Sequence, residues 1–332
     1  MRAFLLDGYG TIADHVRLAD MADPVPGPDD VLIDIHAASL NPIDFKIVRG
    51  DLKRVSNYQL PRPFGFDASG VVLSAARASG FKPGDAVYAR ASRETIGTFA
   101  ERIALRQEFV ALKPASVSHA QAAALPLVGL TTLQAFSRVK ARAGQRILIH
   151  AGAGGIGTFA VQYAGHLGLE VTTTTSSKNV DFVKSLGADR VIAYDRENYL
   201  DAGGGYDIVY DTLGAAFTVD AFKVVKRGGA VISLSGPPDR DFARREGKGF
   251  VVRAAIWLMS RKVYAASAEA GASYCWFFTE PSGEQLREIA ALVDGGAIKP
   301  VIDREFAFEQ LPDALSYLEA GRARGKVVLK VK

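Results

Sequence analysis

Six consecutive residues, Gly152-Ala153-Gly154-Gly155-Ile156-Gly157, fit the spacing G-x-G-x-x-G and stand one residue after the largely apolar run Arg146-Ile147-Leu148-Ile149-His150. The segment Phe159–Leu167 behind them has helical spacing, so the glycines stand on a strand-to-helix turn. There the first glycine permits a tight turn, the second lets the backbone approach a pyrophosphate, and the third lets the helix pack closely on the strand. The amides at the start of the helix then face the phosphates. The chemistry predicted is dinucleotide binding. An ordinary glycine-rich turn is the plainer alternative, and the alternation of strand and helix on both sides argues against it.

A site for NAD ordinarily ends its second strand on Asp or Glu, about 20 residues further on, to hold the ribose hydroxyls. Here the chain reads Thr173-Thr174-Thr175-Ser176-Ser177-Lys178. Hydroxyl donors and a lysine attract a 2′-phosphate where a carboxylate would repel it. NADPH is therefore the expected cofactor. Ser176, Ser177 and Lys178 also suit a helix cap, and the two roles are compatible.

Other chemistries lack their residues. None of the eleven tyrosines has lysine four positions later, no G-x-x-x-x-G-K phosphate loop occurs, and no G-x-S-x-G nucleophile elbow is present. The five histidines, His15, His36, His119, His150 and His166, have no metal-type spacing on any one element and read as structural. One cysteine, Cys275, excludes an intramolecular disulfide and a cysteine-rich zinc site.

The elements that must carry these residues point to an α/β protein of two domains, as its 332 residues suggest. The first 120 or so residues hold short apolar stretches punctuated by Pro24, Pro26, Pro28, Pro61, Pro63 and Pro83, a β-rich pattern with many turns. Strands at Ile147–His150, Val171–Thr175, Arg190–Ala193, Ile208–Tyr210 and Ala230–Leu234 then alternate with helices, which predicts a doubly wound parallel sheet, the Rossmann arrangement. A helix at Gly283–Ala291 and strands at Ile298–Ile302 and Val327–Val331 return to the first domain. The expected division is 1–122 with 279–332 for the substrate domain and 123–278 for the cofactor domain. The 40 basic and 36 acidic residues are scattered, so no nucleic-acid partner is expected. No apolar run approaches the ~20 residues of a membrane span, and the N-terminus reads as a strand and turn rather than a signal peptide. A cytoplasmic location follows as the expectation.

The chain resembles the zinc-independent quinone oxidoreductase branch of the medium-chain dehydrogenase/reductase superfamily, and within it the NADPH-dependent enone and alkenal reductases. The resemblance covers nearly the whole chain. It rests on Ser39-Leu40-Asn41-Pro42-Ile43-Asp44-Phe45-Lys46, Pro63-Phe64-Gly65-Phe66-Asp67-Ala68-Ser69-Gly70 and Ala124-Leu125-Pro126-Leu127-Val128-Gly129-Leu130-Thr131-Thr132. It continues through the glycine motif, Lys184-Ser185-Leu186-Gly187-Ala188-Asp189, Tyr206-Asp207-Ile208-Val209-Tyr210-Asp211 and Gly325-Lys326-Val327-Val328. The resemblance implies a GroES-like β-rich catalytic domain. It also implies that Asn41 and Thr131 lie beside the nicotinamide and that Ala153, Gly154, Gly155 and Ile156 hold the pyrophosphate. Ser176 and Tyr194 would reach the 2′-phosphate, while Gly214 and the turn Ser233-Leu234-Ser235-Gly236 line the ribose and nicotinamide. The family's phosphate-binding lysine falls at Asn179 here, with Lys178 one residue earlier. In the zinc alcohol dehydrogenases the first loop supplies a cysteine ligand; here it carries Asn41 and Asp44, so no zinc is expected.

The mechanism implied is hydride transfer to the β-carbon of an α,β-unsaturated carbonyl, or to a quinone, in an interdomain cleft. Negative charge then develops on oxygen, and backbone amides, Asn41 and Lys46 are the candidate stabilisers. The proton comes from solvent or from an acid such as Tyr58. Asp44 is read as orienting Lys46 or capping a helix, and Asp67 as fixing a turn. Tyr274, Trp276, Phe277 and Phe278 form either a substrate wall or an edge strand at a dimer interface, and the apolar stretch Phe250–Met259 packs there or in the core. A homodimer is expected. The rival readings are a quinone reductase proper, an NADPH-binding sensor or structural protein without turnover, and a zinc-type alcohol dehydrogenase.

Overall fold

The computed structural model describes every residue except Arg54, Val55, Asn57, Arg77, Ala78, Asp241, Glu246, Lys248 and the side chain of Arg245. It divides into two compact units, Met1–Leu130 with Glu280–Lys332, and Thr131–Thr279. Ala123 and Ala124 pack with Ala37 and Val328, so the stretch just after residue 122 lies in the first unit.

The first unit opens with β1 (Arg2–Leu6), β2 (Val16–Asp20), β3 (Asp30–Leu40) and β4 (Arg62–Pro63). It continues with β5 (Asp67–Ala75), β6 (Ala86–Arg90), β7 (Arg102–Arg106) and β8 (Val110–Leu112). The second unit contributes β9 (Arg146–Ile149), β10 (Glu170–Thr175), β11 (Arg190–Ala193), β12 (Tyr206–Asp211), β13 (Val225–Ser233) and β14 (Ser273–Cys275). The chain ends in the first unit with β15 (Ile302–Ala307) and β16 (Lys326–Lys330). The strand expected at Ile298–Ile302 begins only at Ile302, because Pro300 offers no N–H to a ladder.

Strand β3 organises the first unit. It alternates buried and half-buried residues from Asp30 to His36, with Val31, Ile33 and Ile35 inward, and then buries four in a row, Ala37 to Leu40. The alternating half meets the core on one face only. The continuous half is covered on both faces, so polar groups at that end are held away from water. One edge of β3 is shared by β7 and β16, and the other is taken by β5, all antiparallel. Phe64, Phe66, Phe99, Ile33, Ile35 and Leu329 form the core around it.

The second unit is a six-stranded parallel sheet in the order β11-β10-β9-β12-β13-β14. Its first strand, β9, lies centrally, with β10 on one side and β12 on the other. That reversal of strand order is where such sheets bind ligands, beyond the carboxyl ends of the strands. The helix Phe250–Ala270 is different in kind: Phe250, Val251, Trp257, Leu258 and Met259 are exposed, with Ile256, Ser260 and Val263 buried. Trp276 and Phe278 pack edge-to-face on Phe242. None of the described helices is long and apolar enough to cross a membrane.

Candidate functional site

In the first unit the polar residues gather at the buried end of β3. Leu40 pairs with Val327 of β16, which brings Lys326 beside Asn41, and Ser39 pairs with Asp67 at the head of β5. Asn41, Asp67 and Lys326 are all buried. Lys326 Nζ donates to Asn41 Oδ1 and, at 2.8 Å, to Leu40 O. Asn41 Nδ2 donates to Asp67 Oδ2 at 2.9 Å. Asp67 accepts two further bonds, from Ser39 Oγ at 3.2 Å and from Leu127 N–H at 3.0 Å, and Lys326 Nζ stands 3.7 Å from its Oδ2. Burial pushes the Asp67 carboxyl up and the Lys326 ammonium down, and each charge opposes the other's shift.

Asn41 is the N-cap of the helix Pro42–Arg49, with Pro42 favouring the helix start and Gly50, at φ +85°, ending it. Only half of the expected cap is made. Asp44 Oδ2 accepts the Asn41 N–H at 2.6 Å, whereas the Asn41 side chain makes no capping bond. Asp44 therefore caps the helix and does not orient Lys46. Its Oδ1 has no hydrogen-bond partner among the described residues, and burial pushes its carboxyl up to about 8.

Lys46 lies half-buried on the same helix, with no side-chain hydrogen bond or ion pair among the described residues. Tyr58 is half-buried beneath the Arg62 guanidinium, 5.0 Å from its ring centre, and burial pushes its hydroxyl up. Neither side chain bonds to Asn41. The positive charge beside the Asn41 carboxamide belongs to Lys326, and Asp67, expected to fix a turn, anchors the amide from the head of a strand.

In the second unit the glycine motif joins β9 to the helix Gly155–His166. A Cβ on Gly152 would sit 2.1 Å from Thr173 Oγ1, and one on Gly157 would sit 2.2 Å from Ala151 O and 2.6 Å from Gly152 Cα. Both glycines are required by the protein's own packing. Gly154 is not: a Cβ there would meet only Ala151 O, at 3.3 Å, and its φ of −79° suits any residue. The open side of Gly154, next to helix amides that lack intrahelical acceptors, fits a pyrophosphate. Ala151 holds a left-handed φ of +54°, with its N–H bonded to Thr174 Oγ1 at 3.1 Å. Strain of this kind in a non-glycine residue clusters at functional turns. Ala153 and Ile156 lie within the same turn, and Thr131 Oγ1 is 2.7 Å from Thr279 Oγ1.

Past β10, Ser176 Oγ accepts from Asn179 Nδ2 at 3.2 Å, and Lys178 is exposed. Ser177 is committed elsewhere: its N–H and Oγ donate to Asp195 at 2.8 and 2.6 Å. These bonds hold the Asp195 carboxyl below the usual range. A pocket of about 450 Å³ opens here, lined by Tyr194, Asp195, Arg196, Glu197, Asn198, Tyr199 and Phe217. Asp211, the last residue of β12, organises the remaining turns. It accepts from the N–H groups of Leu213 and Gly214 at 2.9 Å each, from Thr218 Oγ1 at 2.6 Å and from Ser233 Oγ at 2.7 Å. Ser233 Oγ in turn accepts the Gly236 N–H at 2.8 Å, Leu234 N–H donates to Asp211 O, and Ser235 Oγ donates to Thr212 O. Gly214 has φ +77°, and a Cβ there would clash with Ser235 O at 2.5 Å.

Two family models match the sequence, "Alcohol dehydrogenase GroES-like domain" over residues 27–115 and "Zinc-binding dehydrogenase" over residues 186–329. Over 344 residues the chain is 36% identical to the 2-methylene-furan-3-one reductase of Solanum lycopersicum, covering 99% of this chain and 79% of that protein. It is 34% identical, with the same coverage, to the chloroplastic NADPH-dependent alkenal/one oxidoreductase of Arabidopsis thaliana. The solved quinone oxidoreductase from Coxiella burnetii superposes with a TM-score of 0.87 at 30% identity, covering 100% of this chain and 99% of that one. The chain is a medium-chain dehydrogenase/reductase.

As a medium-chain dehydrogenase/reductase of the quinone oxidoreductase branch, it is an oxidoreductase with a GroES-like β-rich unit and a Rossmann unit. Among its described residues no three His, Cys, Asp or Glu side chains are grouped to hold a metal ion. Sequence reasoning missed the bonding roles of Lys326, Asp67, Asp195 and Asp211. The available signals were charged residues heading apolar strands, Asp67-Ala68-Ser69-Gly70-Val71-Val72 and Lys326-Val327-Val328-Leu329, and a carboxylate placed just after the third strand of the cofactor unit rather than the second.

Proposed function

We propose that the protein reduces the carbon–carbon double bond of α,β-unsaturated ketones and aldehydes, with NADPH as reductant and without zinc. When bound, NADPH supplies a hydride to the substrate β-carbon, and the α-carbon then takes a proton from solvent, leaving the saturated carbonyl and NADP. The first-turn amides at Gly155 and Ile156 and the open backbone at Gly154 would hold the pyrophosphate. Ser176 Oγ, Lys178 and the exposed Tyr194 hydroxyl would meet the 2′-phosphate, with Arg196 as a further cation. Ser177 drops out of that set because Asp195 takes both of its donors.

The observation that carries the substrate side of this reading is Asn41. Its carboxamide has Oδ1 occupied by Lys326 and one N–H by Asp67, which among the described residues leaves one N–H to donate. That donor would meet the oxygen on which negative charge grows as hydride is added. A fixed neutral donor beside a buried cation stabilises such charge without reorganisation. Asn41 lies in the loop that, by the resemblance, supplies a cysteine ligand in the zinc alcohol dehydrogenases, and the amide here would take over the polarising role. A quinone presents the same acceptor oxygen, and the likeness to the Coxiella burnetii quinone oxidoreductase supports quinones as the second substrate class.

The protein is further proposed to pair as a homodimer through its cofactor unit. The exposed apolar half of the helix Phe250–Ala270 and the outer edge of β14 support this. Light scattering of Trp257→Glu/Leu258→Glu should read a monomer where the unaltered chain reads a dimer.

Oxidation of NADPH and NADH by the purified protein against short enals, enones and quinones tests the activity. Saturated carbonyl products with NADPH are the expected result. Turnover of quinones alone would move the assignment to a quinone reductase proper. Tight NADPH binding without turnover of any of the three classes would favour an NADPH-binding sensor or structural protein, or a substrate of another class.

A further inference from the structure

We propose that Lys326 and Asp67 are positioning residues that lock the Asn41 carboxamide in a single orientation, so that its free N–H points one way throughout turnover. The inference rests on the reading of Asn41 as the donor to the substrate oxygen.

A carboxamide is nearly symmetric in shape, and its oxygen and nitrogen exchange places by a half-turn. At Asn41 the two neighbours break that symmetry as strongly as side chains can. Lys326 can only donate, and it faces Oδ1; ionised Asp67 can only accept, and it faces Nδ2. The flipped amide would set N–H against ammonium and oxygen against carboxylate, losing both bonds and adding two repulsions. Each charge is itself fixed, Lys326 by Leu40 O and Asp67 by Ser39 Oγ and the Leu127 N–H.

Two further observations separate this role from simple structural support. Asn41 occupies an N-cap, where an Asn side chain ordinarily accepts a backbone N–H of the first turn and stabilises the helix. Here the side chain is withheld from that bond, and only Asp44 completes the cap. The local structure therefore forgoes a stabilising contact so that the amide can face Lys326 and Asp67. In addition, a buried ion pair is weak support for a fold, since well-packed apolar residues of similar volume commonly serve as well. What apolar residues cannot supply is a field with direction, and the Lys326 charge also polarises the amide so that its remaining N–H is a stronger donor.

The test is a double-mutant cycle on the full chain with Asn41→Ala, Lys326→Met and the two combined. It reads kcat and KM for a short enone and the NADPH dissociation constant by fluorescence. Lys326→Met should lower kcat roughly 10- to 100-fold, the scale of a misplaced reacting group, with KM changed much less and NADPH affinity held within about twofold. The double variant should be no slower than Asn41→Ala alone, because Lys326 acts only through Asn41. Losses that multiply in the double variant, or a Lys326→Met enzyme as fast as the unaltered one while Asn41→Ala is slow, would overturn the positioning role and leave the reading of Asn41 intact. An Asn41→Ala enzyme with unchanged kcat would instead overturn that reading, and the inference with it. Should Lys326→Met fail to fold, Asp67→Asn in the same cycle carries the test, with a lower kcat and the same non-additivity expected.

Discussion

The two units make their polar sites from different materials. In the cofactor unit the site is built of backbone: six consecutive residues, mostly glycine, expose amides at a helix start, and small residues keep the surface open. In the GroES-like unit it is built of side chains carried on three strand ends, with Asn41 and Lys326 separated by 285 residues of sequence. A backbone site depends on what is missing from each residue. A side-chain site depends on which residues meet. The first should tolerate change wherever a ligand alone needs the space, and the second should fail by the loss of any one partner.

Within the glycine motif this distinction separates neighbours. Gly157→Ala should destabilise the fold by about 3 kcal/mol, since backbone at Ala151 and Gly152 cannot retreat from the new Cβ. Thermal unfolding would read this as a Tm lower by several degrees. Gly154→Ala should leave Tm nearly unchanged while weakening NADPH binding roughly tenfold, about 1.4 kcal/mol. Equal losses of stability in both variants would show that Gly154 serves packing after all.

A smaller effect is expected at the 2′-phosphate. Lys178→Ala should weaken NADPH binding a few-fold, about 1 kcal/mol for an exposed charge, and leave NADH binding unchanged. Titration of both nucleotides against both proteins reads the difference, and an equal effect on NADH would remove Lys178 from phosphate recognition. Ser177→Ala should change neither affinity much, because its donors already serve Asp195.

A further effect is on pH dependence. Burial holds a proton on Asp44 up to about 8, above the 3.8 of a free carboxyl. The folded state then binds that proton more tightly than the unfolded chain. Stability conferred by this group is complete below the unfolded value and is lost as pH rises through the folded one. Tm should therefore fall from about pH 4 to about pH 8 and level off above that, and Asp44→Asn should flatten that slope. A slope unchanged in the variant would assign the dependence to other groups.

The same contrast governs how far the molecule could be read from its sequence. The glycine motif, the parallel strands and the pairing of a β-rich unit with a parallel-sheet unit were legible, because contiguous spacing and apolar periodicity encode them locally. Asn41 was legible as a candidate, but its partners were not. Lys46, five residues away, looked like the cation to pair with it, whereas the sheet register places Lys326 there through the pairing of Leu40 with Val327. Asp211 was visible as the end of a strand, yet its role in holding the turns at Gly214 and Ser233 arises only when β13 returns beside β12. Helix ends and glycine turns are written in neighbouring residues; charge pairs across strand ends are written in register, which a single sequence does not display.

Asn41 is the donor on which the proposed reaction depends, and the single-turnover rate of NADPH oxidation by Asn41→Ala with a short enone, at saturating NADPH, tests that role. The prediction is a rate lowered about 100-fold, the scale expected for removing one oxyanion donor, with NADPH affinity within twofold of the unaltered protein. An unchanged rate, or a loss explained by failure to bind NADPH, would contradict it.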